Sequence, residues 1–374
     1  MFTSRSLQSQ YTFRDKLLSF DFFLVFLILI LGIISVFAMY STEGGNFHYH
    51  TKSHISRFVI FFFMFIVVSF FNIKFWYNTS TLIYISIFLL LLSVKYFGIT
   101  SSGSQRWVNF YFINLQPSEL MKVGLILFLA KYYHRIPIHE ANTIKFLFLP
   151  IIVLVAPVLL VVTQPDLGTS ILIAIGGIAV AWLAGVKIKF FAYMSIFFIS
   201  LAPIAISFLK PYQKARILTF LNPDKDPLGA GYQIIQSKIA IGSGGFFGKG
   251  YLNGSQSYLD FLPEKHTDFI FTLFSEEFGF FGAICILILY YLIISRIVKI
   301  GHETKSNFGK LYCYGFATAF FTYVAVNMGM VLGLLPIVGA PLPIMSYGGS
   351  SMMAIMLGLG IAMSCKIHGN VNVN

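Results

Sequence analysis

FLPIIVLVAPVLLVVTQPDLGTSILIAIGGIAVA, residues 148–181, carries one charged side chain, Asp166. Its two apolar runs, centred near Leu154 and Ile175, each match the ~20 residues a helix needs to cross hydrocarbon. Only Gln164, Pro165 and Asp166 part them. So short a turn leaves little backbone to satisfy in lipid, so the stretch reads as a membrane helical hairpin. The same length criterion picks out further runs centred near Ile30, Phe65, Phe88, Ile126, Phe198, Ile284, Ala319 and Met356. The expected fold is therefore all-α, a polytopic membrane protein with about ten transmembrane helices. It forms one domain over residues 1–374, interrupted by one long polar loop at 209–268.

Composition agrees. The 374 residues are 57% hydrophobic, 17% aromatic and 11% charged, where soluble domains carry about 25% charged residues. The net charge of +12 is spread between apolar runs, unlike the solvated basic patch of a nucleic-acid binder, so no nucleic-acid partner is expected. Cys285, Cys313 and Cys365 lie in or beside apolar runs without metal-ligand spacing. The first run, Phe20 to Tyr40, exceeds the ~7–15 residues of a signal-peptide core and reads as an uncleaved span. Arg14, Lys16, Lys74, Lys131, Arg135, Lys145, Lys187, Lys189, Arg296 and Lys299 fall on one side of the bundle. The short loops of the other side hold only Lys52, Arg57, Lys95 and Arg106. The positive-inside rule then places both termini in the cytoplasm and the long loop outside.

Within that loop, Asn222–Gly231 is turn-rich. From Tyr232 to Ala240, Ile234, Ile235 and Ile239 share one helical face and Gln233, Gln236 and Ser237 the other, which suggests a helix lying on the membrane surface. The run Gly242-Ser-Gly-Gly-Phe-Phe-Gly-Lys-Gly250 looks like a phosphate loop but has Ser243 in place of its first glycine and Gly250 in place of its Ser or Thr. Nucleotide binding is rejected.

Charged residues at membrane depth are costly and mark functional sites by default. In Leu262-Pro-Glu-Lys-His-Thr-Asp-Phe269, the polar residues His266, Thr267 and Asp268 run straight into an apolar helix. Thr267 or Asp268 caps that helix, for about 1 kcal/mol, or Asp268 is a catalytic carboxylate, and the two roles are compatible. Glu276 and Glu277 follow about two turns into the span, beyond the reach of the helix dipole. At about 100° per residue, Glu276 falls about 80° around the helix from Asp268 and can line the same cavity.

Gly103-Ser-Gln-Arg-Trp107 precedes Gln116-Pro-Ser-Glu-Leu-Met-Lys122. Glu119 and Lys122 have the spacing of a pair on one helix face. Trp107 has the character of an interface anchor, and Arg106 with Lys122, facing outward, suits a diphosphate clamp. Asp166 reads first as the cap of the helix after the hairpin turn. Leu335-Pro-Ile-Val-Gly-Ala-Pro-Leu-Pro343 and Ser346-Tyr-Gly-Gly-Ser-Ser351 read as a stiff scaffolding turn and a small-residue helix start. His48, His50 and His54 are irregularly spaced for a metal site.

In order along the chain, GSQRW, QPSELMK, QPDLGTS, DPLGAGYQIIQSKIAIGSGG, FLPEKHTDFIF, SEEFG and PLPIMSYGGSS resemble the motifs of the SEDS family of bacterial shape, elongation, division and sporulation proteins. The short tails, QSYLDFLPEKHTDF, and Ile337-Val338 after Leu335-Pro336 resemble its rod-shape branch more than its division branch. The resemblance implies a peptidoglycan glycosyltransferase of the bacterial cytoplasmic (inner) membrane. It would polymerise lipid II, an undecaprenyl-diphosphate-linked disaccharide-pentapeptide, during elongation and rod-shape maintenance. Its partners would be a class B penicillin-binding protein acting as transpeptidase and the elongation machinery.

Carried over by motif, Asp268 matches the family's essential aspartate, and Arg106, Trp107, Glu119, Lys122 and Asp166 match its cavity residues. His266 and Glu276 join them as substrate-binding candidates. Inversion at the donor's anomeric carbon requires a base, for which Asp268 is the candidate. Arg106, Lys122 or a divalent cation, Mg or Mn, would stabilise the leaving diphosphate; with a metal, Asp268 becomes its ligand instead. A lipid II flippase, a division-type polymerase and a non-catalytic membrane scaffold are the alternatives. The absence of an internal repeat and the gathering of charge at one face favour an enzyme over a transporter.

Overall fold

The protein, described here from a computed structural model, is defined over residues 13–101, 104–109, 114–137, 139–164, 166–208, 230–255 and 261–371. Helices occupy every expected run: α1 (Phe13–Leu18), α2 (Phe22–Thr42), α3 (Tyr49–Phe70), α4 (Ile73–Phe97), α5 (Pro117–His134), α6 (Ile144–Thr163), α7 (Leu167–Leu183) and α8 (Ile188–Phe208). After the polar loop come α9 (Ala230–Ser243), α10 (Ile270–Glu303), α11 (Asn307–Val331) and α12 (Gly349–Ile367). Seven of these are long and apolar enough to span a bilayer outright. At the remaining expected positions, α5 carries Glu119, Lys122 and Lys131, α7 is 17 residues long, and α8 is the third.

Side-chain caps start several helices. Asp21 Oδ1 accepts from Leu24 N–H (3.0 Å) at α2, Asn72 Oδ1 from Lys74 N–H (3.0 Å) at α4, and Asp166 Oδ1 from Thr169 N–H (3.1 Å) at α7. Each satisfies an amide the helix itself leaves unpaired. Glu43 does the same from outside α3, accepting from the N–H groups of His48, His50 and Thr51 at 3.1, 2.8 and 3.0 Å. Partial burial opposes ionisation of Glu43, but bonds from Thr51 and His50 outweigh it and hold the carboxyl below its ordinary range.

Burial separates a centre from a rim. In their most apolar windows α11 is 67% and α12 78% buried, against 28% for α3, α4 and α6, so α11 and α12, with the mostly buried α5, form the core, while α3, α4 and α6 present Phe, Leu and Ile outward. α12 packs on α3 and α5, and α11 on α5, α7 and α10. Cys313 and Cys365 are buried and Cys285 is exposed.

Three features depart from the sequence reading. A three-stranded antiparallel sheet, β1 (Ile99–Ser101), β2 (Ser104–Asn109) and β3 (Asn114–Leu115), lies between α4 and α5, with Ile99 opposite Trp107. α9 does not lie flat with Ser237 facing water. Ser237 is fully buried, its Oγ 2.8 Å from Thr272 Oγ1 and donating to Val331 C=O (2.7 Å), while Ile239 is 48% exposed. The turn-rich stretch before α9, 222–229, falls outside the described residues.

Finally, α10 is broken at Gly279 (φ 64°, ψ −164°). The segment after α9 runs alongside the break: Lys249 and Gly250 N–H donate to the carbonyls of Glu276 and Glu277 (both 3.0 Å), and Phe280 and Phe281 N–H to those of Gly245 (3.0 Å) and Phe246 (3.1 Å). A Cβ on Gly248 would stand 2.1 Å from Glu277 O. The glycines that mimic a phosphate loop therefore serve close backbone approach. Glu276 and Glu277 end a short outer helix and do not sit inside a straight span.

Candidate active site

One end of the bundle gathers the starts of α5, α7, α10 and α12 with the end of α2 and the start of α3. The turn Leu335–Pro343 is the spacer between them. A Cβ on Gly168, in the first turn of α7, would be 2.3 Å from Val338 O, and one on Gly339 (φ 72°) would be 3.7 Å from Asp268 Oδ2. The Val338–Gly339 peptide thus has the Asp166 helix start on one side and the Asp268 carboxylate on the other. The scaffolding expected of this stretch is what it provides.

Asp268 is half-buried. The N-cap position of α10 falls on Phe269, and Thr267 Oγ1 donates to Glu264 Oε2 (2.8 Å), so Thr267 is no cap. The segment is fixed through its backbone. Asn327 Nδ2 donates to Asp268 C=O (2.9 Å) and Ala340 C=O (2.7 Å), Ser346 Oγ to Thr267 C=O (2.6 Å), and Tyr347 N–H to His266 C=O (2.8 Å). Three carbonyls just before the helix are thereby engaged, leaving the orientation of Asp268 defined. The His266 ring is 2.8 Å from Thr42 Oγ1 through Nδ1 and stacks on His50 at 4.3 Å.

Across the spacer turn, Asp166 combines its capping role with two more contacts: Oδ2 accepts from Gln116 Nε2 (3.1 Å) and lies 3.5 Å from an Arg106 amino group. Gln116 N–H donates to Ser350 Oγ (2.8 Å), tying α5 to α12. Trp107 is half-buried on β2 beside Arg106.

The Glu119–Lys122 pair forms as its spacing predicts, at 2.8 Å, but does not face outward: both side chains are 4% exposed. Tyr323 OH donates to the other Glu119 oxygen, and the Lys122 ammonium sits 3.9 Å over the Tyr323 ring. Lys122 therefore reaches no headgroup directly. A buried pair this fully engaged contributes field and rigidity more than net stability.

Glu276 likewise differs from expectation. Fully buried, its Oε1 meets Lys249 Nζ (2.6 Å) and Ser255 Oγ (2.9 Å), and neighbouring Glu277 accepts from Ser41 Oγ. These bonds latch the broken helix to the polar loop and α2. His54 is buried with Nε2 2.9 Å from Ser35 Oγ, so the three early histidines do not converge. Among the described residues no three His, Cys, Asp or Glu side chains gather as metal ligands.

Reading the sequence placed His50 only among irregularly spaced histidines and missed Thr42, Tyr323 and Asn327. The last two had a signal: they are four apart, on one face of an apolar helix.

A helical membrane bundle that presents a carboxylate and cation–carboxylate pairs at one end has the architecture of a lipid-substrate enzyme. Its sequence matches the FtsW/RodA/SpoVE cell cycle protein family over residues 17–370, and the chain belongs to that family. It is 39% identical to the peptidoglycan glycosyltransferase MrdB of Escherichia coli K12 over 360 residues, 96% of each chain. It is 36% identical over 327 residues to a probable peptidoglycan glycosyltransferase FtsW of Buchnera aphidicola from Schizaphis graminum, covering 85% of this chain and 92% of that one. Among solved structures it resembles a chain of a peptidoglycan synthase complex that coordinates polymerization and crosslinking (TM-score 0.80, 30% identity, 93% and 97% covered). It also resembles the rod shape determining protein RodA of Thermus thermophilus (TM-score 0.70, 25% identity, 94% and 98% covered).

Proposed function

We propose that the chain is a peptidoglycan glycosyltransferase of the rod-elongation type, polymerising lipid II at the outer face of the bacterial cytoplasmic membrane with both termini inside. The observation that carries this is Asp268: a carboxylate at the end of the bundle, its backbone tied by Asn327, in a family whose relatives bear that activity. The higher identity to MrdB than to the FtsW relative supports the rod-type reading.

In the reaction, the acceptor 4-hydroxyl attacks the donor's anomeric carbon as Asp268 takes its proton. The bond from that carbon to the diphosphate breaks, and the electron pair leaves with the lipid diphosphate. The site sits where a sugar in water and a polyprenyl tail in lipid meet. The Asp166–Arg106 pair and β2 border it, and the field of Lys122 reaches it from below. A class B penicillin-binding protein is the proposed partner, in keeping with the likeness to a chain of a synthase complex, and with it the elongation machinery. A divalent cation is proposed only as a companion of the substrate's diphosphate, so chelator should weaken turnover without unfolding the protein.

Asp268→Asn should abolish strand synthesis from purified lipid II, partner present, while the melting temperature stays near wild type. Normal product from that variant would remove Asp268 as the base.

A further inference from the structure

We propose that Arg57 is the residue that grips the diphosphate of the lipid-linked donor, on a wall it shares with Asp268; this rests on the glycosyltransferase reading above. Arg57 is the ninth residue of α3, about 12 Å along the helix from Tyr49 at 1.5 Å per residue. Cations at such depth pair with acids or serve a function. Four other cations do pair with acids: Arg106 with Asp166, Lys122 with Glu119, Lys249 with Glu276 and Arg296 with Asp21, while half-buried Lys131 is held by Asn78 C=O and Thr81 Oγ1. Among the described residues no carboxylate lies within ion-pair distance of Arg57. Its guanidinium rests instead 4.5 Å over the Tyr347 ring.

That ring joins Arg57 to the catalytic segment. Tyr347 N–H holds His266 C=O, and its neighbour Ser346 holds Thr267 C=O. His50 meets the Tyr347 ring edge-on at 4.8 Å and stacks on His266. Arg57, Tyr347, His50 and His266 thus form one continuous wall ending two residues before Asp268. Beside the guanidinium the chain has Gly349; a Cβ there would stand 3.6 Å from Nε and 3.7 Å from Cζ, so no side chain at that position screens it.

The chemistry matches what the reaction lacks. The leaving diphosphate gathers charge as the glycosidic bond breaks, yet Lys122 is sealed against Glu119 and Arg106 shares Asp166. A guanidinium seated on an aromatic face keeps its forked donors, which suit phosphate oxygens bidentately. Cation–π support holds it in place without neutralising it.

The test uses full-length protein with its transpeptidase partner, lipid II as substrate, and undecaprenyl diphosphate and monophosphate as competing ligands. Arg57→Gln should raise KM for lipid II and weaken inhibition by undecaprenyl diphosphate by about tenfold or more, the loss of a charge-assisted bidentate contact. Inhibition by the monophosphate should change less, and Lys52→Gln, five residues earlier on the same helix and exposed, should match wild type. Arg57→Lys, which keeps the charge but not the fork, should fall between and serves where the Gln variant does not fold. Unaltered diphosphate inhibition in whichever folded Arg57 variant is measured overturns the proposal while leaving the polymerase reading intact. A wild-type complex that makes no strands overturns both.

Discussion

At the scale of single residues, the site depends on backbone anchoring of an acidic side chain. Asn327 is fully buried and its amide bridges two carbonyls, of Asp268 and Ala340. Asn327→Asp keeps the volume but replaces the donor with an acceptor facing both carbonyls. Losing the buried donor shared by these carbonyls costs about 1–3 kcal/mol. The variant should melt earlier, and its kcat should fall more than its KM rises, because Asp268 loses alignment and the substrate contacts do not. Equal kcat in a folded variant would show that the bridge is dispensable for chemistry. Asp268 itself was legible in the sequence because a polar triplet abutting an apolar run is conspicuous. Tyr347 and Arg57 were not, because each acquires meaning from a partner far away in the chain: they are brought together only when α12 packs on α3. Glu276 shows the complementary case. Its helical angle relative to Asp268 was right for a straight helix, while its true neighbours, Lys249 and Ser255, come from the loop.

At the scale of elements, the break in α10 holds the polar loop. Apolar length located the ten long helical runs, seven of them long and apolar enough to span a bilayer, since about 20 apolar residues carry that signal on their own. The break left no such trace: the immediate neighbours Phe278 and Phe280 are apolar, and a lone glycine in a helical pattern is tolerated. The short strands around Trp107 were equally hidden, being too brief for a period-two pattern to register. The break makes a definite prediction. Gly279 has φ 64° and ψ −164°, and a Cβ on it would lie 2.3 Å from Gly248 N, so Gly279→Ala combines a backbone strain of about 1–3 kcal/mol with a steric clash. It should lower the melting temperature in detergent and loosen the 244–250 segment, read as faster proteolysis there. Gly242→Ala is the control: its Cβ would meet nothing within 4 Å, and in α9 it should be neutral or stabilising by up to about 1 kcal/mol. Equal melting of the two variants would mean the paired backbone is incidental.

At the scale of the whole molecule, the two ends of the bundle are chemically distinct, and orientation follows from that difference. The end bearing Asp268 holds acids and cations within the protein. The opposite end carries most of the short-loop Lys and Arg, along with one Arg296 amino group that donates to both Asp21 carboxylate oxygens (2.8 and 2.7 Å) and fastens α10 to the start of α2. A substrate with a large polar head can react only where that head resides, so orientation and function stand together. Single cysteines at position 52, at the start of α3, and position 187, before α8, report on opposite ends. The native thiols interfere little, since Cys313 and Cys365 are buried and Cys285 lies on an apolar helix face. In spheroplasts, Lys52→Cys should react with a membrane-impermeant maleimide at once, and Lys187→Cys only after permeabilisation. The reverse pattern would put Asp268 on the cytoplasmic side and be incompatible with strand synthesis outside the cell. Because α3, α5, α7 and α10 all pack on α11 or α12, these helices cannot invert one hairpin at a time. Two positions therefore determine the orientation of the entire chain.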